Sequence, residues 1–216
     1  MNEKYLKPGP SDYLEFLLLN LFGRAIALLP TPIGMNLALL VGTVGYWLIP
    51  VRRKVGMANL EGAFAGSLSL KERRRICRAA YQSLAMTSAE LFYCLYGSID
   101  WPRKRMVKIE GWDKVADYQD QGRPPLFVTG HFGAWEVLGQ AFSELLPATT
   151  IAKRLHNPLV QRQVDRARKR RNLGVIYTGQ DGPREVVRAL KDKSRALNVL
   201  ADQDYGHAGI FVNFFG

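Results

Sequence analysis

The stretch LFVTGHFGAWEVLG, residues 126–139, combines a short apolar run, a histidine, a glycine and, five positions after the histidine, a glutamate. The apolar run, rich in β-branched residues, predicts a buried strand, and the residues after it have a helical pattern. A strand that passes at once into a helix opens a βα unit. We therefore expect His131 at the end of a strand, Gly133 in a tight turn, and Glu136 in the first turn of a helix.

The same rhythm continues along the chain. Apolar runs at residues 148–152, 175–178 and 196–201 alternate with helical patterns. This alternation predicts an α/β fold with a mixed, mostly parallel sheet flanked by helices. Because open α/β sheets bind ligands at the carboxyl ends of their strands, we expect four residues to converge in one crevice: His131, Lys153, Arg154 and Asp202.

The N-terminal part of the chain is apolar and helical. Residues 33–49, IGMNLALLVGTVGYWLI, carry no charge, and basic residues follow at 52–54. As a helix this run would measure roughly 26 Å, slightly less than the ~30 Å hydrocarbon core, so it could span a membrane thinly or lie half-embedded. A buried hairpin of two helices is the alternative. A capping box of Ser69 with Glu72 then opens a long helix that ends near Gly97.

These patterns divide the chain into two parts. Residues 1–54 form a helical membrane-anchor region, and residues 55–216 form the α/β domain. Within that domain, residues 55–105 are a helical lead-in and residues 106–216 are the catalytic core.

The charge of the chain limits its partners. Lys and Arg outnumber Asp and Glu by 30 to 19, which gives 216 residues a net charge of +11. We expect an anionic partner: phospholipid head groups, a phosphorylated substrate, an acidic carrier protein or nucleic acid. No nucleic-acid module is recognisable in the sequence. The two cysteines, Cys77 and Cys94, have neither metal-ligand spacing nor a disulfide pattern, which is typical of a reducing, cytosol-facing domain.

The histidine and the glutamate suggest acid–base chemistry. A carboxylate on one ring nitrogen holds a histidine in the tautomer whose other nitrogen accepts a proton. The chain has no GxSxG motif, so the group that loses the proton is expected to be the substrate's own alcohol, attacking an activated acyl or phosphoryl donor. A strand-end histidine with a purely structural role is the alternative, because a histidine and a glutamate at this spacing are common by chance.

At these residues the sequence resembles the lipid A biosynthesis acyltransferases, within the wider lysophospholipid acyltransferase group. The family hallmark, His-x4-Asp/Glu and often HFGNWE, stands here as HFGAWE, with Ala134 in place of the usual Asn. RRKVGMANLEGAF, AKRLHNP and LADQDYGHAGIFVNFFG resemble three further blocks of the family. The resemblance covers nearly the whole chain. Since members normally continue past Phe-Phe-Gly, the chain looks like a C-terminally incomplete copy.

The resemblance implies transfer of a fatty acyl group from acyl carrier protein or coenzyme A to a hydroxyl of a glycolipid. It implies a glycerolipid acyltransferase-like fold at the cytoplasmic face of the inner membrane. His131 would be the general base and Glu136 would orient it, with no cofactor and no metal, since the acyl thioester is a co-substrate. Acceptors of another kind are the open alternatives: a lysophospholipid, an inositol mannoside or an amino-acid lipid. A non-catalytic protein that binds anionic lipid is a further one.

The predicted sheet edge and the resemblance together give the substrate-binding candidates: Gly133, Arg154, Asn157, Arg168, Asp202 and Asp204. Arg154 and Arg168 would meet phosphate groups, and the two aspartates would fix the arginines or the acceptor. Two carboxylates in DQD also suit a metal ion, but no third ligand is evident. For Arg168 the expected geometry is unfavourable, because a helix that returns from the first edge of the sheet would carry its last residues to the opposite edge.

Overall fold

The computed structural model describes residues 7–64, 66–105, 109–179 and 182–203. Helices lead, and strands and helices then alternate. The elements are α1 (Pro10–Leu28), α2 (Thr31–Leu48), α3 (Pro50–Phe64), α4 (Leu70–Tyr96), α5 (Trp101–Arg105), α6 (Trp112–Asp120), β1 (Leu126–Thr129), α7 (Trp135–Ser143), β2 (Ala148–Ala152), α8 (Pro158–Arg170), β3 (Leu173–Tyr177), α9 (Gly182–Lys191) and β4 (Ala196–Leu200).

The four strands form one parallel sheet in the order β1-β4-β2-β3. The predicted α/β class is confirmed. The bounds of β1 and β2 agree with the apolar runs, whereas β3 begins at Leu173, two residues earlier than predicted, and β4 ends one residue earlier, at Leu200. Strand β4, the last strand in the described part of the chain, lies inside the sheet between β1 and β2, so the end of β4 meets the end of β1.

A small core forms beside the sheet. Leu146, Ala148, Leu173 and Ala196 are each at most 4% exposed and pack together. The ring of Phe142 adds edge-to-face contacts with Trp112 and Phe127, at centroid distances of 5.1 and 4.8 Å. Such aromatic pairs are favoured beyond the area that they bury. This packing attaches α6 and α7 to the strands that carry the site.

The long helix α4 connects the N-terminal helices to the sheet domain. It begins as predicted, because Glu72 accepts from the backbone N–H of Ser69 at 2.8 Å and the Ser69 hydroxyl accepts from the N–H of Glu72 at 3.3 Å. It packs against α7 and α8 in the sheet domain and against α1, α2 and α3 in the N-terminal part of the chain. The Tyr93 hydroxyl on α4 donates to the carbonyl of Leu29, between α1 and α2, at 3.0 Å.

Helix α2 is the one described helix that is long and apolar enough to cross a membrane, by length and composition alone. Only 22% of it is buried. The alternative of a buried helical hairpin therefore does not fit its surroundings. Helix α3 continues across residues 54 and 55, where the sequence analysis divides the chain.

Candidate active site

His131 lies at the carboxyl edge of the sheet, opposite Asp202. In the β1–β4 ladder Thr129 pairs with Leu200, so the residues two positions beyond each of them also meet. Nδ1 of His131 lies 2.8 Å from Oδ1 of Asp202, and the backbone N–H of His131 donates to Oδ2 at 2.7 Å. The two side chains are 30% and 35% exposed. With Nδ1 donating to the carboxylate, the neutral ring presents Nε2 as a proton acceptor.

Gly130 makes room for this contact. A Cβ at this buried position would come within 2.9 Å of Oδ2 of Asp202 and within 2.6 Å of the ring of Phe132. Both distances are shorter than real Cβ contacts, so any side chain at position 130 would displace the carboxylate. The glycine before the histidine thus serves the pairing of His131 with Asp202.

The hydrogen bond from the His131 ring, together with the one from its backbone N–H, lowers the pKa of Asp202 below the usual aspartate value. A lowered pKa means that the folded chain favours the carboxylate. The stabilisation is therefore complete above the ordinary aspartate pKa and is lost as the pH falls through the lowered one. At neutral pH the partner of His131 is an anion.

The predicted contact between His131 and Glu136 is wrong for this structure. Glu136 lies in the first turn of α7 and accepts two hydrogen bonds from Arg168, from Nε to Oε1 and from Nη2 to Oε2, both at 2.7 Å. Gln140 donates to the same carboxylate at 3.1 Å. The carboxylate therefore turns towards α8, and Asp202 takes the place that the sequence analysis assigns to Glu136.

Arg168 thus does reach the neighbourhood of the site, against the geometric expectation. Glu136 pairs with Arg168, and one turn later Gln140 accepts from Arg171 at 3.0 Å. The helices therefore run side by side in the same direction, and the start of α7 lies level with the last turn of α8. The expectation was wrong because it assumed that α8 starts at the carboxyl edge of the sheet. In the structure α8 starts beyond that edge, so its last turn lies level with the start of α7.

The Glu136–Arg168 pair is well shielded from water, with side chains 16% and 11% exposed. Burial alone would lower the pKa of Arg168, but the hydrogen bonds and the negative charge of Glu136 outweigh it, and the pKa is raised. Two parallel charge-assisted hydrogen bonds of this length form a strong, directional contact. Glu136 therefore supplies the counter-charge of Arg168.

Two of the predicted substrate-binding residues are exposed at the same edge. Gly133 has φ +51°, a left-handed conformation that favours glycine, and its carbonyl accepts from the Thr87 hydroxyl at 3.1 Å. Arg154 follows β2, and its guanidinium lies 4.1 Å from the centroid of the Tyr177 ring, at the end of β3. Burial and a hydrogen bond with Asp165 raise the pKa of Tyr177, so this ring remains a neutral platform.

Asn157 has a structural position. Its side-chain oxygen accepts from the N–H groups of Leu159 and Val160, which caps α8, and its amide donates to Asp12 and Glu15 of α1. The residue is 3% exposed. Its donors and acceptors are thus used inside the protein. Asp204 lies outside the described residues.

A cleft of ≈ 390 Å³ borders the loop that follows His131. Its walls come from α2, α4 and the loop residues Gly133 and Ala134. Leu39, Ala79 and Met86 make part of the lining apolar, and Thr87 ties α4 to the loop. The cleft therefore lies between the N-terminal helices and the loop that follows the histidine.

Two aromatic residues of the histidine motif lie beside the ring of His131. Trp135 makes an edge-to-face contact with its ring at 5.0 Å, and Phe132 is 79% exposed beside it. In the sequence, only the position of these two residues within the histidine motif indicates that they lie near His131. Across the four described segments, no group of three or more His, Cys, Asp or Glu side chains is arranged to hold a metal ion.

Comparison with known proteins agrees with this architecture. The family model for bacterial lipid A biosynthesis acyltransferases matches residues 5–216. None of the curated proteins compared with the chain matches it. Since the family model covers almost all of the 216 residues, the chain belongs to the bacterial lipid A biosynthesis acyltransferase family and is an acyltransferase.

Proposed function

We propose that the protein transfers a fatty acyl group from a thioester of acyl carrier protein or coenzyme A to a hydroxyl of a lipid A precursor, with His131 as general base. The observation that carries this proposal is the ring of His131, partly exposed at the carboxyl edge of the sheet and hydrogen-bonded to an aspartate. The described hydrogen bonds of the ring go to Asp202, not to a serine or cysteine. The acceptor hydroxyl is then the nucleophile.

In the proposed reaction one proton moves from the acceptor hydroxyl to His131 and then to the departing thiolate. Nε2 of His131 takes the proton of the acceptor hydroxyl as the oxygen attacks the thioester carbonyl carbon. The tetrahedral intermediate collapses, the carbon–sulfur bond breaks, and the imidazolium returns the proton to the departing thiolate. Asp202 stabilises the imidazolium and keeps the ring oriented, which is the role of the buried carboxylate in a serine protease triad.

The oxyanion of the intermediate needs hydrogen-bond donors. The backbone N–H of His131 donates to Asp202, and that of Phe132 donates to the carbonyl of Gly130 at 2.9 Å. Neither is therefore directed at a bound thioester in this conformation. The donors come from further along the loop, from Gly133 onwards, or from a cation.

We assign the acceptor's phosphate to Arg154. It is exposed at the carboxyl edge of the sheet next to Lys153, and its planar guanidinium suits a bidentate contact with phosphate. Glu136 and Arg168 are then positioning residues, because their charges are satisfied by each other. The two buried free cysteines fit a catalytic domain on the cytoplasmic face of the inner membrane.

The test is His131→Ala, with His156→Ala as the matched control, because His156 is also an exposed histidine near the sheet edge. Membranes with either variant are incubated with labelled acyl thioesters of carrier protein or coenzyme A and with lipid A precursors or lysophospholipids. Mass spectrometry then identifies the product.

Loss of the base is expected to lower kcat by on the order of 10²–10⁴-fold, with an unchanged circular dichroism spectrum. The control variant is expected to keep its activity. Near-normal acyl transfer by folded His131→Ala would exclude the mechanism. A product acylated on another lipid would keep the mechanism and exclude the lipid A precursor as the acceptor.

A further inference from the structure

Arg154 lies on the ring of a tyrosine from the neighbouring strand. In the β2–β3 ladder Ala152 pairs with Tyr177, and the backbone N–H of Thr178 donates to the carbonyl of Ala152 at 2.9 Å. The end of β3 is therefore fixed beside the segment that follows β2. The guanidinium of Arg154, two residues beyond Ala152, lies 4.1 Å from the centroid of the Tyr177 ring. A cation within about 6 Å of a ring centroid makes a cation–π contact.

The hydroxyl end of Tyr177 is held inside the protein. It donates to the carboxylate of Asp165 and accepts from the side-chain amide of Gln161 at 2.6 Å. Both partners lie on α8, and Gln161 is 7% exposed. The side-chain oxygen of Gln161 also accepts from the backbone N–H of Leu155 at 2.7 Å. One buried amide thus joins the tyrosine to the residue that follows Arg154.

The contact with the ring leaves the charge of Arg154 available to a ligand. Arg154 is exposed, and within the described part of the chain it takes part in no ion pair. Arg168, in contrast, is paired with Glu136. An aromatic face orients a guanidinium without removing its charge, so the N–H groups in the plane of the guanidinium can still bind an anion.

The position of Arg154 in the sheet separates it from the reacting group. Strand β4 lies between β1 and β2, so the ends of β1 and β2 are two strand spacings apart, about 10 Å. Arg154 follows β2, whereas His131 follows β1. A group of the acceptor that binds to Arg154 is therefore distant from the hydroxyl that reacts. Binding of this kind changes little as the new bond forms, so it affects KM more than kcat.

We infer that Tyr177 positions Arg154 for the phosphate of the lipid acceptor and thereby sets the affinity for phosphorylated acceptors. This inference rests on the proposed function, which assigns the acceptor's phosphate to Arg154. The ring holds the guanidinium in place before the acceptor binds, so less conformational freedom is lost on binding. Tyr177 is a positioning residue, because its own hydroxyl is engaged by Asp165 and Gln161.

The test is equilibrium binding of a lipid A precursor to the full chain in detergent, without an acyl donor. The same lipid after removal of its phosphates is the second ligand. Tyr177→Leu is expected to raise the Kd of the phosphorylated lipid about three- to tenfold, because the aromatic platform is lost. The Kd of the dephosphorylated lipid is expected to stay unchanged. Tyr177→Met is a second non-aromatic variant, whose flexible side chain fills part of the space of the ring.

Three further variants separate positioning from a structural role. Tyr177→Phe keeps the ring and is expected to keep most of the affinity. In the Arg154→Met background, Tyr177→Leu is expected to change the Kd less than about twofold, since no guanidinium is left to orient. The matched control is Tyr118→Leu, which removes a ring that lies 5.3 Å from the guanidinium of Arg123, and it is expected to bind as the unchanged protein does. Urea unfolding checks that every variant is folded.

Steady-state kinetics give an independent readout. With the acyl thioester present, Tyr177→Leu is expected to raise KM for the phosphorylated acceptor and to leave kcat and the KM for the thioester nearly unchanged. A loss confined to kcat would overturn the inference, because Tyr177 would then act on the reacting groups.

An unchanged Kd in folded Tyr177→Leu and Tyr177→Met would also overturn it, as would an equal loss of affinity for the dephosphorylated lipid. The same holds for an undiminished effect of Tyr177→Leu in the Arg154→Met background, or for phosphate-independent binding by the unchanged protein. The binding measurement contains no acyl donor, so it can fail while acyl transfer by His131 holds. Activity of folded His131→Ala would exclude the proposed mechanism and leave the binding result valid.

Discussion

At the scale of single residues, the site depends on which carboxylate faces His131. Asp202 makes two contacts with this residue, one to the ring and one to the backbone, whereas Glu136 is engaged by Arg168. A carboxylate that holds the ring contributes to the rate, because it fixes the tautomer and stabilises the imidazolium. Substitutions that remove the charge of Asp202 or of Glu136 should therefore have different effects.

Asp202→Asn is expected to lower kcat by on the order of 10²–10⁴-fold and to leave KM nearly unchanged. The amide keeps the size of the side chain but loses the charge, and it can donate to Nδ1, which would select the wrong tautomer. Steady-state kinetics with the acyl thioester and the lipid acceptor measure the two constants.

Two controls accompany this prediction. Asp202→Glu is expected to restore part of kcat, since it returns the carboxylate, and Asp120→Asn, at an exposed position, is expected to change neither constant. Because the pKa of Asp202 is lowered, the stability difference between the protein and Asp202→Asn should shrink as the pH falls below the ordinary aspartate value. An effect on KM alone would mean that Asp202 binds substrate and does not orient His131.

At the scale of elements, the Glu136–Arg168 pair joins α7 to α8 beside the site. Gln140 and Arg171 continue the same interface one turn later, and Arg171 is 3% exposed. The start of α7 determines where the loop with His131 ends. The pair therefore positions the loop through the helices and need not touch substrate.

Glu136→Gln is expected to destabilise the protein by about 3 kcal/mol, because it leaves the guanidinium of Arg168 buried without its counter-charge. Arg168→Met should cost a similar amount, and the double variant should cost clearly less than the sum of the two. Urea unfolding of the three variants measures these free energies. Strict additivity would show that the two side chains do not depend on each other.

The sequence could predict the elements of the sheet but not their order. Apolar runs located β1 and β2 to the residue, and the Ser69–Glu72 box located the start of α4. The sequence analysis expected Asp202 at the same sheet edge as His131, and the structure confirms it. Their direct contact requires the insertion of β4 next to β1, which depends on packing between distant segments. The five-residue spacing from His131 to Glu136 suggested a contact between these two side chains. Nothing in this local stretch shows that an arginine of α8 pairs with Glu136 instead.

At the scale of the whole molecule, α4 connects the apolar helices to the site. One side of it carries α2, and Thr87 on it holds the loop at Gly133, with the cleft of ≈ 390 Å³ between them. Close packing of α2 on α4 is the condition for this cleft.

Gly42→Ala tests that condition, with Gly62→Ala as the matched control. Both glycines lie in helices, and alanine in a helix is favoured over glycine by about 0.8–1.0 kcal/mol. At Gly62 no atom lies within 4 Å of a new Cβ, so stability should rise, whereas at Gly42 the Cβ would meet the backbone of α4 at 2.6 Å. Separating the helices should cost about 1–3 kcal/mol, and Gly42→Ala should therefore be destabilising in urea unfolding. If both variants were stabilised alike, α2 would not be packed closely on α4.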